Sequence, residues 1–313
     1  MAHIQTVQYD KKAIPMILSS SLKGFSQVLL VNNTVSGLLI LTGITLFSPV
    51  LGLMTFLASI VGTLTGLFLR ADGDAIRNGI YSFNSVLCAI TPILFLYDDK
   101  RWFFAILAAV LAAIAMNGLT TFLDRWNIPV LTAPFIFITW LGLLFAYRSD
   151  VIFMHPDFVT SSPQMWNIPT EGTPSLIIGM MKGIGEVFVI DSLWTSLLAL
   201  VALFVAGWRF GAFAVAGTFV SWLTAYLMGV DVLSLNLGLY NYNAVLTGIA
   251  VGLVFNKKEK PTFYMAAFAA MLTVPVTAGI ELLLEPIGLP ALTFPFVICT
   301  WLFAGIRKFY PNI

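Results

Sequence analysis

The stretch Ile128-Pro-Val-Leu-Thr-Ala-Pro-Phe135, followed by Thr139-Trp-Leu141, occurs twice in this chain. The second copy reads Leu289-Pro-Ala-Leu-Thr-Phe-Pro-Phe296 and is followed by Thr300-Trp-Leu302. With Pro129 placed on Pro290, a shift of 161 residues, the copies match without a gap and share eight identities in fourteen positions. A match of this quality indicates an internal duplication.

Each copy places two prolines five residues apart at the head of an apolar run. Proline has no backbone N–H and breaks a continuous helix. At membrane depth such a break is tolerated only where the freed carbonyls line a cavity or contact protein. If the stretch is helical, Pro134 leaves the carbonyl of Val130 without its partner, and Pro295 does the same for Ala291.

A threonine hydroxyl lies beside each of these carbonyls, Thr132 in the first copy and Thr293 in the second. Together they predict a short ladder of hydrogen-bond acceptors. Two ordinary proline kinks packed between helices are the simpler alternative, since proline is common in transmembrane helices. The presence of the same break in both halves favours a pore.

Composition places the chain in the membrane. Of its 313 residues, 59% are hydrophobic and only 10% are charged, and the mean hydropathy is +0.93. No charged residue occurs between Gly24 and Leu69, a run long enough for two membrane spans. The first dozen residues are polar and no signal-peptide pattern follows them, so the first span is expected to remain in the mature protein. The net charge of +1 gives no reason to expect nucleic acid as a partner.

The sequence contains little that an enzyme could use inside the membrane. Cys88 and Cys299 fall within predicted spans and are expected to be small packing groups, not a disulfide or a metal pair. His3 and His155 lie outside the spans. There is no metal-ligand spacing and no nucleophile-and-base arrangement. We therefore predict a protein that is not an enzyme and has no cofactor.

The apolar runs predict five spans and one re-entrant half-helix in each half of an all-α integral membrane protein. A polar, proline-rich connector separates the halves, which divides the chain into residues 1–150, 151–175 and 176–313. In the first half, the first span is expected to begin between Pro15 and Gly24, and the second to end at Arg70. The third runs from Asn78 to before Asp98, the fourth from Trp102 to Leu123, and the last ends at Tyr147.

The second half repeats the first in the same order. At a shift of 159 residues the matches are Lys23-Gly24 with Lys182-Gly183, Val28 with Val187, Gly79 with Gly238, Tyr81 with Tyr240, Asn84 with Asn243, and Val86-Leu87 with Val245-Leu246.

An odd number of spans per repeat gives the second copy the opposite orientation in the membrane. The excess of Lys and Arg on the cytoplasmic side of membrane proteins tests this orientation. Lys23 and Lys182 are set aside because they precede predicted pore-lining segments. With a cytoplasmic N-terminus, eleven cations face inside: Lys11, Lys12, Arg70, Arg77, Arg125, Arg209, Lys257, Lys258, Lys260, Arg307 and Lys308. Three face outside: Lys100, Arg101 and Arg148. The ratio predicts an inverted repeat with both termini in the cytoplasm.

Polar residues occur at matching positions inside the apolar runs. Gln27 and Glu186 are equivalent in the two halves. A lone carboxylate in hydrocarbon is costly, so Glu186 is expected to face water, substrate or a hydrogen-bonding partner. The two side chains either lie at the two mouths of one pore or make ordinary bonds between helices. Asp191 is a weaker candidate because its counterpart is Asn32.

A second repeated pattern pairs an aromatic residue with an asparagine, as Phe83-Asn84 and Tyr242-Asn243. On a helix, residues four apart share a face. The pattern predicts an apolar wall opposite the acceptor ladder, although an aromatic stripe is more often simple packing. The wall would consist of Phe83 with Leu87 in the first half and of Tyr242 with Leu246 in the second.

These motifs resemble the urea transporter family. The resemblance rests on Gly-x-x-Gln-Val and Gly-x-x-Glu-Val, on Tyr-x-aromatic-Asn-x-Val-Leu in both halves, and on the paired Pro-x-x-Thr-x-Pro-Phe stretches, and it covers roughly Leu22 to Arg307. It implies a homotrimer in which each protomer has a pore that passes urea down its gradient without ion coupling. Planar urea would slip edgewise between apolar walls while its N–H groups follow a ladder of oxygens.

Transferred to this sequence, the resemblance implies a role for each matching position. Thr132 and Thr293 fall on the ladder and, with Leu87 and Leu246, on the narrow middle. Gln27 and Glu186 fall on the mouths. The full set of predicted pore residues is Gln27, Val28, Leu30, Phe83, Asn84, Leu87, Thr132, Glu186, Val187, Val189, Tyr242, Asn243, Leu246 and Thr293.

The predicted aromatic slots pair Phe83 with Leu30 and Tyr242 with Val189. Many family members carry phenylalanine at the positions of Leu30, Val189 and Tyr242, so here each slot has one aromatic and one aliphatic wall. Selectivity among urea, other amides, ammonia and water therefore stays open. An aliphatic wall still excludes hydrated ions, because stripping water from a charge costs far more than stripping it from a neutral amide.

Two other transport classes stay open at this point. Inverted repeats with broken helices also serve coupled secondary transporters, for which Glu186 is the one plausible centre. A pore for another small neutral amide or for ammonia is the second, with ammonia less favoured because no histidine lies in the predicted pore. A structural or receptor role leaves the duplicated polar line unexplained. The expected location is a plasma membrane, such as a bacterial inner membrane, with lipid around the protein.

Overall fold

The computed structural model describes residues 13–97, 99–149, 152, 154, 172–256 and 262–309. Within those residues the chain is helical, and the one β-type pairing is an isolated bridge between Leu96 and Met154. The predicted all-α class is confirmed. The predictions that involve His3, His155, Lys11, Lys12, Lys257, Lys258, Lys260 and most of the connector fall outside the described residues.

The described residues form fourteen α-helices, seven in each half of the chain. The first seven are α1 (Ala13–Val28), α2 (Thr34–Phe47), α3 (Pro49–Phe68), α4 (Gly73–Arg77), α5 (Phe83–Phe95), α6 (Arg101–Leu123) and α7 (Ala133–Tyr147). The second seven are α8 (Leu176–Gly185), α9 (Leu193–Ala206), α10 (Trp208–Leu227), α11 (Val232–Leu237), α12 (Asn241–Ile249), α13 (Phe263–Leu284) and α14 (Phe294–Phe309).

Several of these helices can cross a membrane. Four described stretches are long and apolar enough by themselves: Pro49–Phe68, Arg101–Trp126, Trp208–Leu227 and Phe263–Ile287. The helices α2, α5, α7, α12 and α14 are shorter but also apolar. The chain is therefore a multi-pass membrane protein, while the count of five spans and one half-helix per half stays a prediction.

The first predicted span of each half is broken. In the first half, α1 ends at Val28 and α2 begins at Thr34, where the Asn33 side chain accepts a hydrogen bond from the Ser36 N–H. In the second half, α8 with its short 3-10 extension and α9 meet at an angle of 83°. Ser192 caps α9 by accepting from the Thr195 N–H. The apolar run hid these breaks because the capping asparagine and serine are short, uncharged side chains.

The two halves contact each other through reciprocal hydrogen bonds between α2 and α9. Ser36 Oγ, in the first turn of α2, donates to the carbonyl of Ala202 at 2.7 Å. Thr195 Oγ1, in the first turn of α9, donates to the carbonyl of Gly43 at 2.9 Å. At the shift of 159 residues, Ser36 matches Thr195 and Gly43 matches Ala202. The same contact is thus made twice, once in each direction, so the duplicated halves are packed against each other by equivalent surfaces.

A glycine turn packs against the broken helix in both halves. Gly79 and Gly238 have φ of +78° and +75°. A Cβ at Gly79 would lie 2.6 Å from the backbone nitrogen of Gly24, and one at Gly238 would meet the backbone nitrogen of Gly183. The positive φ and the close approach both require glycine, so these turns hold α5 and α12 against α1 and α8.

Replacing Gly238 by alanine is expected to destabilise the protein. The left-handed conformation costs an L-residue about 1–2 kcal/mol, and the collision with Gly183 adds to this cost. The measurement is the midpoint of thermal unfolding of the purified protein in detergent, which should fall by several degrees. Gly279→Ala is the control, because nothing lies within 4 Å of a Cβ there. Equal midpoints for the two variants would contradict the proposed close contact.

Candidate functional site

The two Pro/Thr stretches meet at one point. Thr293 Oγ1 donates a hydrogen bond to Thr132 Oγ1 at 2.7 Å. Each threonine is only 2% exposed. The two hydroxyls that were predicted to stand along a ladder are thus direct partners, and this pair lies where the duplicated halves join.

The helical interpretation of these stretches is wrong. Pro134 lies in the first turn of α7, and Pro295 is the second residue of α14. The Val130 carbonyl accepts from the Ala133 N–H at 3.3 Å, and the Ala291 carbonyl accepts from the Phe294 N–H at 3.1 Å, so neither is left stranded. Proline fits the first turn of a helix because the N–H groups there have no partner within the helix. The stretches are turns that lead into helices.

A buried asparagine clamps each turn. Asn84 Nδ2 donates to the Leu131 carbonyl at 3.1 Å, and Asn84 Oδ1 accepts from the Phe135 N–H at 3.2 Å. Asn243 makes the same two bonds in the second copy, to the Leu292 carbonyl at 3.0 Å and from the Phe296 N–H at 3.2 Å. Both asparagines are fully buried. The duplicated asparagine therefore satisfies the turn's polar backbone groups inside the apolar core.

The clamped residues are in an unusual conformation. Leu131 and Leu292 have φ of 55° and 49°, in the left-handed region. Leu30 and Val189, in the breaks of the two halves, have φ of 62° and 57°. A non-glycine residue in this region costs on the order of 1 kcal/mol or more, and such residues concentrate at functional sites. All four positions come in pairs related by the duplication.

Two tryptophans tie each copy to the other. Trp140 Nε1 donates to the Pro290 carbonyl at 2.9 Å, and Trp301 Nε1 donates to the Pro129 carbonyl at 2.7 Å. The sequence held a signal for this role, since both tryptophans are identities of the duplication. Their partners could not be found from the sequence, because each donor belongs to one copy and its acceptor to the other.

The structure brings the predicted site residues of both halves into one hydrophobic cluster. Its buried members include Val28, Phe83, Leu87, Leu131, Val187, Leu246 and Leu292, and Leu30, Val189 and Tyr242 pack against it. Leu87 and Leu246 are at most 1% exposed, whereas Gln27 and Glu186 are half-buried. Exposure therefore decreases from the predicted mouths to the predicted middle.

The two predicted mouths differ in charge. Gln27 Nε2 donates to the Asn78 carbonyl at 2.9 Å, and Asn32 Nδ2 donates to Asn78 Oδ1 at 2.9 Å. At the equivalent place in the second half, Lys182 Nζ and Asp191 Oδ1 form an ion pair at 2.6 Å. Glu186 lies one helical turn after Lys182. The first mouth thus has neutral amides and the cation Lys23, whereas in the second mouth the equivalent Lys182 is paired with Asp191 and Glu186 adds a further carboxylate.

Comparison with known proteins assigns this arrangement to a family. The family described as urea transporter matches residues 18–308. The chain belongs to the urea transporter family. It is 28% identical to urea transporter 1 of Ovis aries and to urea transporter 1 of Capra hircus, in each case over 318 residues that cover 97% of this chain and 80% of the relative. Urea transporter 1 of Rattus norvegicus is 27% identical over 316 residues, with the same coverage. The resemblance drawn from the motifs is confirmed.

One carboxylate of this urea transporter family member was missed. Glu281 interrupts the apolar helix α13, and its carboxylate interacts with the Tyr240 hydroxyl. In the first half, the matching tyrosine, Tyr81, donates instead to Asn117 Oδ1 at 2.9 Å. An acidic residue inside an apolar run was a usable signal. The second half is again the acidic one.

An apolar cavity of about 310 Å³ lies between α5, α6 and α7. Cys88, Thr91 and Thr139 are among its lining residues, and none of the fourteen predicted pore residues lines it. The cavity is therefore separate from the candidate site. Cys88 and Cys299 are both buried free thiols.

Proposed function

We propose that this chain is a channel-type urea transporter, in which urea diffuses passively through a pore in each protomer. The observation that carries the proposal is the Thr132–Thr293 hydroxyl pair, which stands where the two motif stretches of a urea transporter family chain meet. Hydroxyl oxygens are suited to urea, a neutral solute whose polar edge is made of N–H donors. Apolar walls around them exclude hydrated ions.

The mechanism follows from the gradient of exposure along the site. Urea enters past Gln27 or Glu186, loses most of its water in a slot, and replaces the lost hydrogen bonds with ladder oxygens. A hydroxyl oxygen has two acceptor lone pairs, so Thr132 keeps one for urea while it accepts from Thr293. Because both threonines are 2% exposed, the passing molecule has to part the two hydroxyls. Conduction also requires that no site hold urea tightly.

The second membrane repeat is proposed to be inverted relative to the first. The supporting contact is that the first turn of α2 bonds to the third turn of α9 and the first turn of α9 to the third turn of α2. Two helices in contact this way run in opposite directions, although they are equivalent in the duplication. The proposed units are the first repeat at 1–150, an extracellular or periplasmic connector at 151–175, and the inverted repeat at 176–313.

Charge distribution supports a plasma-membrane protein with both termini in the cytoplasm, since eleven cations against three then face inside. In this orientation the Phe83 slot is the inner one and the Tyr242 slot the outer one. We further propose that the membrane is a bacterial inner membrane and that the protein is a homotrimer surrounded by lipid.

A passive channel and a coupled transporter differ in their response to gradients. We expect urea efflux from proteoliposomes to be the same at two values of pH and with or without a membrane potential. Glu186→Gln is expected to retain proton-independent flux, because urea carries no charge and needs no proton partner. The flux is measured by stopped-flow light scattering.

A matched control is Glu285→Gln, which changes a carboxylate at the end of α13 that belongs to no predicted mouth. Flux that follows the proton gradient and vanishes only in Glu186→Gln would establish coupling through Glu186. If the vesicles pass another amide or ammonia but no urea, that solute is the one transported.

A further inference from the structure

The two halves differ in the number of side-chain donors that bond to one equivalent backbone carbonyl. In the second half, the Leu292 carbonyl accepts from Tyr242 Oη at 2.8 Å and from Asn243 Nδ2 at 3.0 Å. In the first half, the equivalent Leu131 carbonyl accepts from Asn84 Nδ2 at 3.1 Å. The residue equivalent to Tyr242 is Phe83, which has no hydroxyl to donate.

The difference matters because a carbonyl oxygen has two acceptor lone pairs. The Leu292 oxygen uses both within the protein. The Leu131 oxygen uses one for Asn84, and among the described residues no second side-chain donor to it is found. Each carbonyl lies next to a ladder threonine in the chain, so each is placed to serve as one more acceptor beside the hydroxyl. In the first half that acceptor is available to an N–H donor, and in the second half it is occupied.

The geometry of the Tyr242 bond adds a steric consequence. Tyr242 is the predicted aromatic wall of its slot, and Leu292 belongs to the ladder side. A hydroxyl-to-carbonyl distance of 2.8 Å joins the two sides directly and leaves no room for an amide between them. The half-buried Tyr242 ring thus reaches the ladder side through its hydroxyl, whereas Phe83 has no hydroxyl with which to make such a bond.

We infer that the Tyr242 hydroxyl makes the second-half slot the slower of the two. Its hydroxyl occupies the acceptor that an N–H-bearing solute would use and has to be displaced at each passage. The inference rests on the proposed urea channel and goes beyond it, since it names one chemical group as the main resistance. The pore then consists of one hindered slot and one free slot in series.

Exchanging Tyr242 and Phe83 between the two halves tests the inference. Tyr242→Phe removes the hydroxyl and leaves Asn243 to satisfy the carbonyl, and Phe83→Tyr adds a hydroxyl to the free slot. The double variant exchanges the two residues between the halves. We expect urea permeability to rise about three- to tenfold in Tyr242→Phe, the value of one displaced hydrogen bond. It should fall in Phe83→Tyr and return near the wild-type value in the double variant.

Urea permeability of proteoliposomes, normalised to the amount of inserted protein, is the readout. The expected order of permeability is Tyr242→Phe above wild type, the double variant near wild type, and Phe83→Tyr below it. A loss of folding would not produce this order, because it would lower the permeability of every variant. An unchanged or reduced permeability in Tyr242→Phe would overturn the inference; a reduction there with an increase in Phe83→Tyr would identify the hydroxyl as an acceptor for urea. Wild-type vesicles without urea flux above protein-free liposomes would instead refute the proposed function.

Discussion

Urea permeability is expected to fall by at least about tenfold when Thr132 and Thr293 are both replaced by valine. The hydroxyl pair stands in the buried middle of the proposed path, and valine keeps the shape of threonine without its oxygen. A urea N–H that finds no acceptor there leaves a hydrogen bond unmade, at about 1–3 kcal/mol each. Two such losses raise the barrier by about 2–6 kcal/mol, which slows passage by one to four powers of ten.

The control for the threonine pair is the double serine variant, which retains both hydroxyls and removes two methyl groups. It should keep urea flux within a few-fold of wild type. The valine pair is expected to fold, because replacing both partners of a buried hydrogen bond by apolar groups of the same shape is nearly neutral. Full urea flux in a folded double-valine protein would contradict the role given to the hydroxyls.

The largest expected effect on stability comes from the asparagine clamps. Asn84→Leu keeps the approximate volume but deprives the Leu131 carbonyl and the Phe135 N–H of their partner. Each buried group left unsatisfied costs about 1–3 kcal/mol. Asn243→Leu should cost less, because the Leu292 carbonyl keeps its bond from the Tyr242 hydroxyl and only the Phe296 N–H loses its partner. Both variants should unfold at clearly lower temperature in detergent and should also lose urea flux.

Asn32→Ala is the control for the clamps, since Asn32 is exposed and its one amide bond goes to Asn78. Its unfolding temperature should stay close to that of the wild type, because surface substitutions change stability by about 0.5 kcal/mol or less. Asn84→Asp retains the acceptor for the Phe135 N–H but buries a carboxylate beside the Leu131 carbonyl, so it should be at least as destabilising as Asn84→Leu. A wild-type unfolding temperature for Asn84→Leu would show that the clamp does not stabilise the turn.

Much of the molecule could be predicted from local features of the sequence. Composition predicted an all-α membrane protein, and identities at fixed shifts predicted the duplication and the family. These features succeed because hydropathy and repeated motifs do not depend on how distant segments pack. The site residues Thr132, Thr293, Asn84 and Asn243 were found in the same way, because each occurs at equivalent places in both copies. Their roles in transport stay predictions until the permeability measurements are made.

The predicted backbone of the Pro/Thr stretches was wrong for a physical reason. Pro134 and Pro295 are compatible both with a kink inside a helix and with the first turn of a new helix. The choice is made by Asn84 and Asn243, which reach each turn from another helix and satisfy its backbone. Nothing within the stretch itself carries that information.

The sequence by itself determined the membrane class, the duplication and the family, because these depend on composition and on residues compared along the chain. Tertiary structure alone decided that Thr132 faces Thr293, that Trp140 and Trp301 cross between copies, and that Tyr242 closes on the Leu292 carbonyl. Each of these bonds joins residues 50 or more positions apart. Whether such groups meet depends on which helix faces pack together, and many packings are compatible with the same apolar pattern.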